Sequence, residues 1–279
     1  TVPGREIGIL AVDTERGTRF FFDADDGVNG RELWVSDGTS VGTTMLGDME
    51  SGDAIDWTSE ITPWMNGAVF TTHGQQGHRI WWTNGSVTTS IWQAPWFSAT
   101  VSSDLLNQST SLSSFGQGLL RGDAFGLWFA AKDAQAGLEM IFLSNDGVLH
   151  IHDLQPFGDS SPSQGLSVDG GFVVAASDGT GRQLAKLDYN GGHQWLTSLT
   201  REGTTTPVSV MAPAFGIEQL GDIIVFDAVH RGADATLFGY TLTTGVVEEL
   251  STNILAPGHS NEVVSCLLYT SPSPRDPKI

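Results

Sequence analysis

Arg19-Phe20-Phe21-Phe22-Asp23-Ala24-Asp25-Asp26-Gly27-Val28-Asn29-Gly30-Arg31-Glu32-Leu33-Trp34-Val35-Ser36-Asp37-Gly38-Thr39 reads as two short apolar runs joined by a polar, glycine-containing loop and closed by an Asp-Gly turn. Short runs rich in aromatic and β-branched residues, bounded by Gly, Asn and Asp, are strands rather than helix turns. The same grammar returns four times. Ala68-Val69-Phe70 leads through Gly77 to Ile80-Trp81-Trp82, and Leu127-Trp128-Phe129 through Gly137 to Met140-Ile141-Phe142. Phe172-Val173-Val174 leads through Gly181 to Leu184, and Ile224-Val225-Phe226 to Leu237-Phe238.

The anchors Phe22, Phe70, Phe129, Val174 and Phe226 are 48, 59, 45 and 52 residues apart, a mean of 51. A period of roughly 40 to 50 residues, without a 3.6-residue apolar pattern, is the mark of four-stranded β-propeller blades rather than a helical solenoid. Each unit divides into four strands. The first is predicted at Ile7 to Val12, Thr18 to Phe22, Glu32 to Ser36 and Thr43 to Leu46, and the second at Ile61 to Trp64, Ala68 to Thr72, Arg79 to Thr83 and Val87 to Ile91. The fifth is predicted at Ile217 to Leu220, Ile223 to Asp227, Ala235 to Tyr240 and Val246 to Leu250. Asn66-Gly67 is expected at the centre of a type I′ turn, where both central residues need positive φ. The fold class is therefore all-β, a propeller of antiparallel blades at approximately 7–46, 61–91, 118–151, 164–196 and 216–250. Five blades with no closing segment predict an incomplete ring that self-associates through the apolar faces of its end sheets.

Glu32-Leu33-Trp34-Val35-Ser36-Asp37-Gly38-Thr39, followed by Gly42-Thr43, resembles the ELWxxDGT repeat of large bacterial secreted and surface proteins. The match is complete once and degenerate at Arg79-Ile80-Trp81, Glu139-Met140-Ile141, Gln183-Leu184-Ala185 and Thr236-Leu237-Phe238. The resemblance implies a propeller-like array in an exported protein, usually without an assigned enzymatic activity. It gives Glu32, Leu33, Trp34, Asp37, Gly38 and Thr39 a structural, repeat-defining part. The tail Cys266 to Asp276, CLLYTSPSPRD, resembles a translated sequencing-library adapter found at the ends of metagenomic gene models. Residues 266–279 are accordingly read as an artefactual or disordered tail outside the propeller of residues 1–265, and the chain, which begins at Thr1, as a fragment.

Composition narrows the partners. In 279 residues, 32 Asp and Glu stand against 13 Lys and Arg, a formal net charge of −19. Such a surface repels phosphate backbones, so nucleic acid is not an expected partner. No run of about 18 apolar residues is present to span a bilayer as a helix. Cys266 is the single cysteine, which excludes an intrachain disulfide and any zinc site built on several thiolates. Few lysines, little cysteine and abundant Asp, Thr, Ser and Gly suit an extracytoplasmic, secreted or cell-surface protein of bacterial origin.

Chemistry-bearing residues are sparse. Asp23, Asp25 and Asp26 place three carboxylates within four residues of the loop between second and third strands, where Asp133 and Asp178 also stand. Calcium is the one cofactor such oxygen donors suggest. Turn formation by Asp side chains explains the same residues, and the EF-hand spacing is absent because Gly27 stands where a third ligand is required. Ser36-Asp37-Gly38-Thr39 resembles the Asp-box of sialidase propellers only superficially, because that pattern has a residue between Asp and Gly. Trp34 is read as inter-blade packing, with a carbohydrate platform as the alternative. His150 and His152, followed by Asp153, share a strand face as metal ligands do, yet a last strand is expected to leave them solvated. His73, His78, His193 and His230 are assigned to loops, and no Ser-His-Asp set is defined. The long linker Gln93 to Gln117, with Trp96 and Phe97, has no decided role. The reading is a binding or structural module for a protein or glycan ligand. Its rival is an enzyme on a propeller scaffold, acting on glycans or resembling quinoprotein dehydrogenases.

Overall fold

Alternation of apolar and polar residues in short runs closes into five antiparallel meanders. The computed structural model describes residues 9–49, 59–74, 77–93, 119–133, 136–207, 217–231 and 234–254. The linker 94–117 and the tail 266–279 lie outside them. Every regular element among the described residues is a strand.

The first sheet comprises β1 (Leu10–Thr14), β2 (Gly17–Asp25), β3 (Arg31–Ser36) and β4 (Thr44–Met45). The second comprises β5 (Ser59–Trp64), β6 (Gly67–Gly74), β7 (Gly77–Thr83) and β8 (Thr88–Gln93). The third holds β9 (Arg121–Gly122), β10 (Gly126–Asp133), β11 (Gly137–Ser144) and β12 (Leu149–His152). The fourth holds β13 (Gly165–Val168), β14 (Gly171–Ser177), β15 (Arg182–Leu187) and β16 (His193–Trp195). The fifth holds β17 (Glu218–Leu220), β18 (Ile223–Arg231), β19 (Asp234–Thr241) and β20 (Val247–Ile254). Strand order follows sequence order in every sheet, and tandem four-stranded meanders are the blades of a β-propeller. The last strand runs on to Ile254, past its predicted end at Leu250.

Register makes the five units equivalent. Phe22 pairs with Trp34, Phe70 with Trp81, Phe129 with Ile141, Val174 with Ala185 and Phe226 with Phe238. Each anchor therefore sits opposite the residue two places after the motif's Glu position.

Two compact units divide the chain, Thr1–Ile151 and His152–Ile279. In the first, Phe21, Leu33 and Val35 pack with Ala68 and Phe70, and Trp81 joins them. Val69 and Ile80, from the other side of the second sheet, pack with Leu127, Phe129 and Ile141. In the second unit Val173, Ala175 and Leu184 pack with Ile224, Phe226 and Phe238. Successive side chains of a strand point to opposite faces. The anchor face thus meets the preceding sheet in these three contacts, and the intervening residues meet the following one. Each fully buried Leu, Phe or Ile adds about 1.5–3 kcal/mol.

Trp34 stands opposite Phe22, on the face through which its register equivalents Trp81, Ile141 and Phe238 meet the preceding sheet. Leu33 and Val35 make the contact between the first two sheets, while Trp34 lies on the opposite face of β3, half-buried, with its indole N–H donating to the Ala24 carbonyl at 3.2 Å.

One turn also differs from expectation. Positive φ falls on Met65 (46°) and Asn66 (56°), and Trp64 pairs with Gly67, so the hairpin turns one residue earlier than Asn66-Gly67. Gly67 serves a close approach instead. A Cβ there would overlap the Thr83 carbonyl oxygen and lie 2.8 Å from Trp82 Nε1.

Candidate functional site

The complete motif is the natural place to look for chemistry, and its residues can be followed one at a time. Glu32 is buried and accepts the Met49 backbone N–H through Oε2 at 3.4 Å. Leu33 is fully buried in the core. Asp37 Oδ1 accepts both the backbone N–H (3.0 Å) and the hydroxyl (2.7 Å) of Thr39. Those donations, the hydroxyl's first, hold the Asp37 carboxyl below its ordinary range. Gly38 has φ +90°, which glycine alone adopts freely. Thr39 Oγ1 in turn accepts the Gly42 N–H at 3.0 Å, and a Cβ on Gly42 would run into the Asp37 carboxylate. Thr43 Oγ1 closes the turn on the Thr39 carbonyl at 2.7 Å.

The motif's first position is polar in all five sheets: Glu32, Arg79, Glu139, Gln183 and Thr236. All but the half-buried Arg79 are buried. Gln183 shows what the position does. Its Oε1 accepts from the Thr197 hydroxyl (2.8 Å) and the Leu199 N–H (2.9 Å), and its Nε2 donates to the Leu199 carbonyl (3.2 Å). Glu32 reaches 17 residues ahead and Gln183 reaches 16, each to the chain that has just left the fourth strand. This position ties the outgoing connection back to the third strand.

Of the three carboxylates considered for calcium, Asp23 and Asp25 lie at the end of β2 rather than in the loop, Asp26 opens the loop, and each is separately engaged. Asp23 forms an ion pair with Arg31. Asp25 Oδ1 accepts the Gly27 N–H at 2.7 Å. Asp26 accepts the Asn29 and Val28 N–H groups, each at 2.8 Å, and the Asn29 amide at 2.7 Å, which lower its pKa. Asp178 forms a second Asp-Gly-Thr turn, accepting from Thr180 N and Oγ1 and from Gly181 N. Partial burial raises its pKa, and those donations outweigh it, so the net shift is downward. Among the described residues no group of three or more His, Cys, Asp or Glu side chains is arranged to hold a metal ion.

The histidines depart from the sequence reading. His73, His78, His193 and His230 lie in strands rather than loops, with His73 directly opposite His78 across β6 and β7. His150 is half-buried, its ring 6.2 Å from that of Phe142, and His152 is fully buried although it ends an edge strand expected to be solvated. Asp153 beside it is exposed.

Two features escaped the sequence. Arg182 is half-buried, donating to the Ser161 (2.9 Å) and Ala175 (3.3 Å) carbonyls and to the Ser163 hydroxyl, and desolvation lowers its pKa. Phe157 is fully exposed with φ +69°. A half-buried, hydrogen-bonded arginine and a left-handed phenylalanine carry no composition or spacing signal.

Comparison with known proteins agrees with the fold. The chain is similar to dipeptidyl peptidase 4 of Porphyromonas gingivalis, at 12% identity and a TM-score of 0.54 over 90% of this chain and 40% of that one. It is also similar to a prolyl endopeptidase, at 8% identity and a TM-score of 0.53 over 89% of this chain and 36% of that one. The chain thus spans about two-fifths or less of the length of these peptidases. No protein-family model matches it, nor does any curated protein sequence. No helix among the described residues is long and apolar enough to cross a membrane.

Proposed function

We propose that this chain is a propeller module of the ELWxxDGT type, in an exported or cell-surface protein, that binds a protein or glycan ligand or serves a structural role without catalysis of its own. The observation that carries the reading is the employment of the motif. Of the six motif residues named above, each has a contact, turn or core position in the fold, leaving none directed at a substrate. A catalytic site needs a nucleophile or acid–base pair with an orienting group around a common point. The acidic surface, net charge −19, supports an extracytoplasmic setting and argues against nucleic acid as a ligand.

The likeness to two peptidases favours one further possibility, a propeller domain that accompanies a catalytic domain elsewhere in a longer protein. Likeness at this identity extends to the fold alone. The test of the module reading is a screen of residues 1–265 against peptide, glycan and alcohol substrates. No turnover is expected. Turnover abolished by a single carboxylate substitution would overturn the reading in favour of an enzyme.

A further inference from the structure

Gln155-Pro156-Phe157-Gly158 connects the third sheet to the fourth as a tight turn, with the Gly158 N–H donating to the Gln155 carbonyl at 3.0 Å. Pro156 occupies the position that its ring suits, and Phe157 takes the one that requires positive φ and normally goes to glycine or asparagine. A bulky residue in the left-handed region is a genuine outlier. Strain of this kind persists only where the surroundings impose it. Here they do: Leu154 and Ser160 are buried on either side, and the Gln155 side chain lies against Gly158 and Gly179. The imposed conformation gains nothing from packing, because Phe157 is 102% exposed. Its ring stands off the surface on a fixed base.

The surroundings carry a definite charge. Exposed Asp178 stands in the turn whose Gly179 meets the Gln155 side chain, and Arg182, which follows it, is half-buried and donates to the Ser161 and Ala175 carbonyls. Asp153 and Asp159, which flank the turn, are exposed.

We propose that Phe157 is a docking anchor that inserts into an apolar pocket, rimmed by Lys or Arg, on a folded protein partner. A protruding aromatic on a rigid turn needs a concave acceptor, which a folded protein provides and an extended glycan chain does not. Aromatic anchors that fill a partner's pocket carry much of the energy of protein interfaces. Opposite charge around the pocket would steer and orient the encounter. The inference rests on the binding-module reading and supplies the chemistry of its partner.

The test is selection of disulfide-cyclised peptides from an unbiased phage-displayed library on the wild-type protein. Binding to Phe157→Ser and Phe157→Gly variants follows. The glycine variant should fold at least as well as wild type, because glycine relieves the turn and no burial is lost, so its loss of binding cannot come from unfolding. Expected are peptides combining Lys or Arg with apolar residues, bound at least tenfold more weakly by both variants and weakened by 0.5 M NaCl. Phe157→Trp should retain binding. Two results overturn the inference: selected peptides indifferent to residue 157, or Phe157-dependent peptides that are acidic or neutral. Phe157-dependent binding to vesicles of phosphatidylcholine with phosphatidylglycerol, or to glucan oligosaccharides, would also overturn it by assigning the anchor to another class. Turnover in the substrate screen defeats the module reading and leaves this comparison of variants standing.

Discussion

Replacing Gln183 with leucine tests whether the motif's first position holds the outgoing connection to its blade. The change is close to isosteric, so the cavity term is small and the polar term is isolated. It removes the acceptor used by the Thr197 hydroxyl and the Leu199 N–H and the donor used by the Leu199 carbonyl. Gln183 and Thr197 are buried, so their desolvated groups lose partners without regaining water. Each such orphan costs about 1–3 kcal/mol. Thr197 can rotate its hydroxyl and Leu199 is only half-buried, which brings the expected total to about 2–4 kcal/mol rather than the full sum. For a chain of this size that corresponds to a fall in melting temperature of about 3–7 °C. Urea unfolding followed by tryptophan fluorescence is a suitable assay, since Trp195 pairs with Ala185, two residues from the substitution.

The companion variant Gln183→Glu separates hydrogen bonding from shape. It installs the residue found at Glu32 and keeps both acceptor bonds, but it loses the donor and buries a carboxylate. Burial raises a carboxyl pKa above its unfolded value. The folded state then binds the proton more tightly, so the variant's deficit should shrink as pH falls through that raised value. At pH 7 its loss should lie between wild type and Gln183→Leu. A leucine variant within about 1 kcal/mol of wild type would refute the tethering role and leave the recurrent polar position unexplained.

Three other outcomes follow from the geometry. Met65→Asn should be neutral or stabilising, because asparagine tolerates the left-handed φ that Met65 adopts, whereas a turn centred on Asn66-Gly67 would give it no advantage; thermal melts decide between the two. Hydrogen bonds hold the Asp26, Asp37, Asp146 and Asp178 carboxyls below the ordinary aspartate range, so their stabilisation is present above that range and is lost as pH falls through the lowered folded values. Asp37→Asn, which cannot titrate, should flatten the acid limb of stability against pH below about 4. Millimolar calcium or chelator should leave the melting temperature unmoved, since Asp23, Asp25 and Asp26 are engaged by Arg31 and by backbone amides; a calcium-dependent rise would assign the ion to that loop.

What was legible in the sequence was whatever repeats. Five apolar anchors at a steady period located five second strands, and the register confirms that Phe22 through Phe226 are the same position five times. Features set by a neighbouring strand were not legible. Gly67 looked like a turn glycine because Asn-Gly usually is one, yet its role is fixed by a carbonyl and an indole from β7, which no local pattern can reveal. Trp34 is assigned to inter-blade packing, and the residue type does not say which neighbouring sheet it faces. Strand alternation places Leu33 and Val35 against the second sheet and Trp34 with Phe22 on the other face. His152 was misjudged because an edge strand was equated with solvent, although an edge is unpaired only along its hydrogen-bonding side and its faces can be covered. The same distinction bears on the site. Residues of the motif recur because each blade must turn, pack and hold its exit in the same way, so recurrence identifies the scaffold. Phe157 occurs once, in a conformation that scaffold requirements disfavour, and for a propeller module the non-repeating, strained and exposed residue is the better guide to what the surface meets.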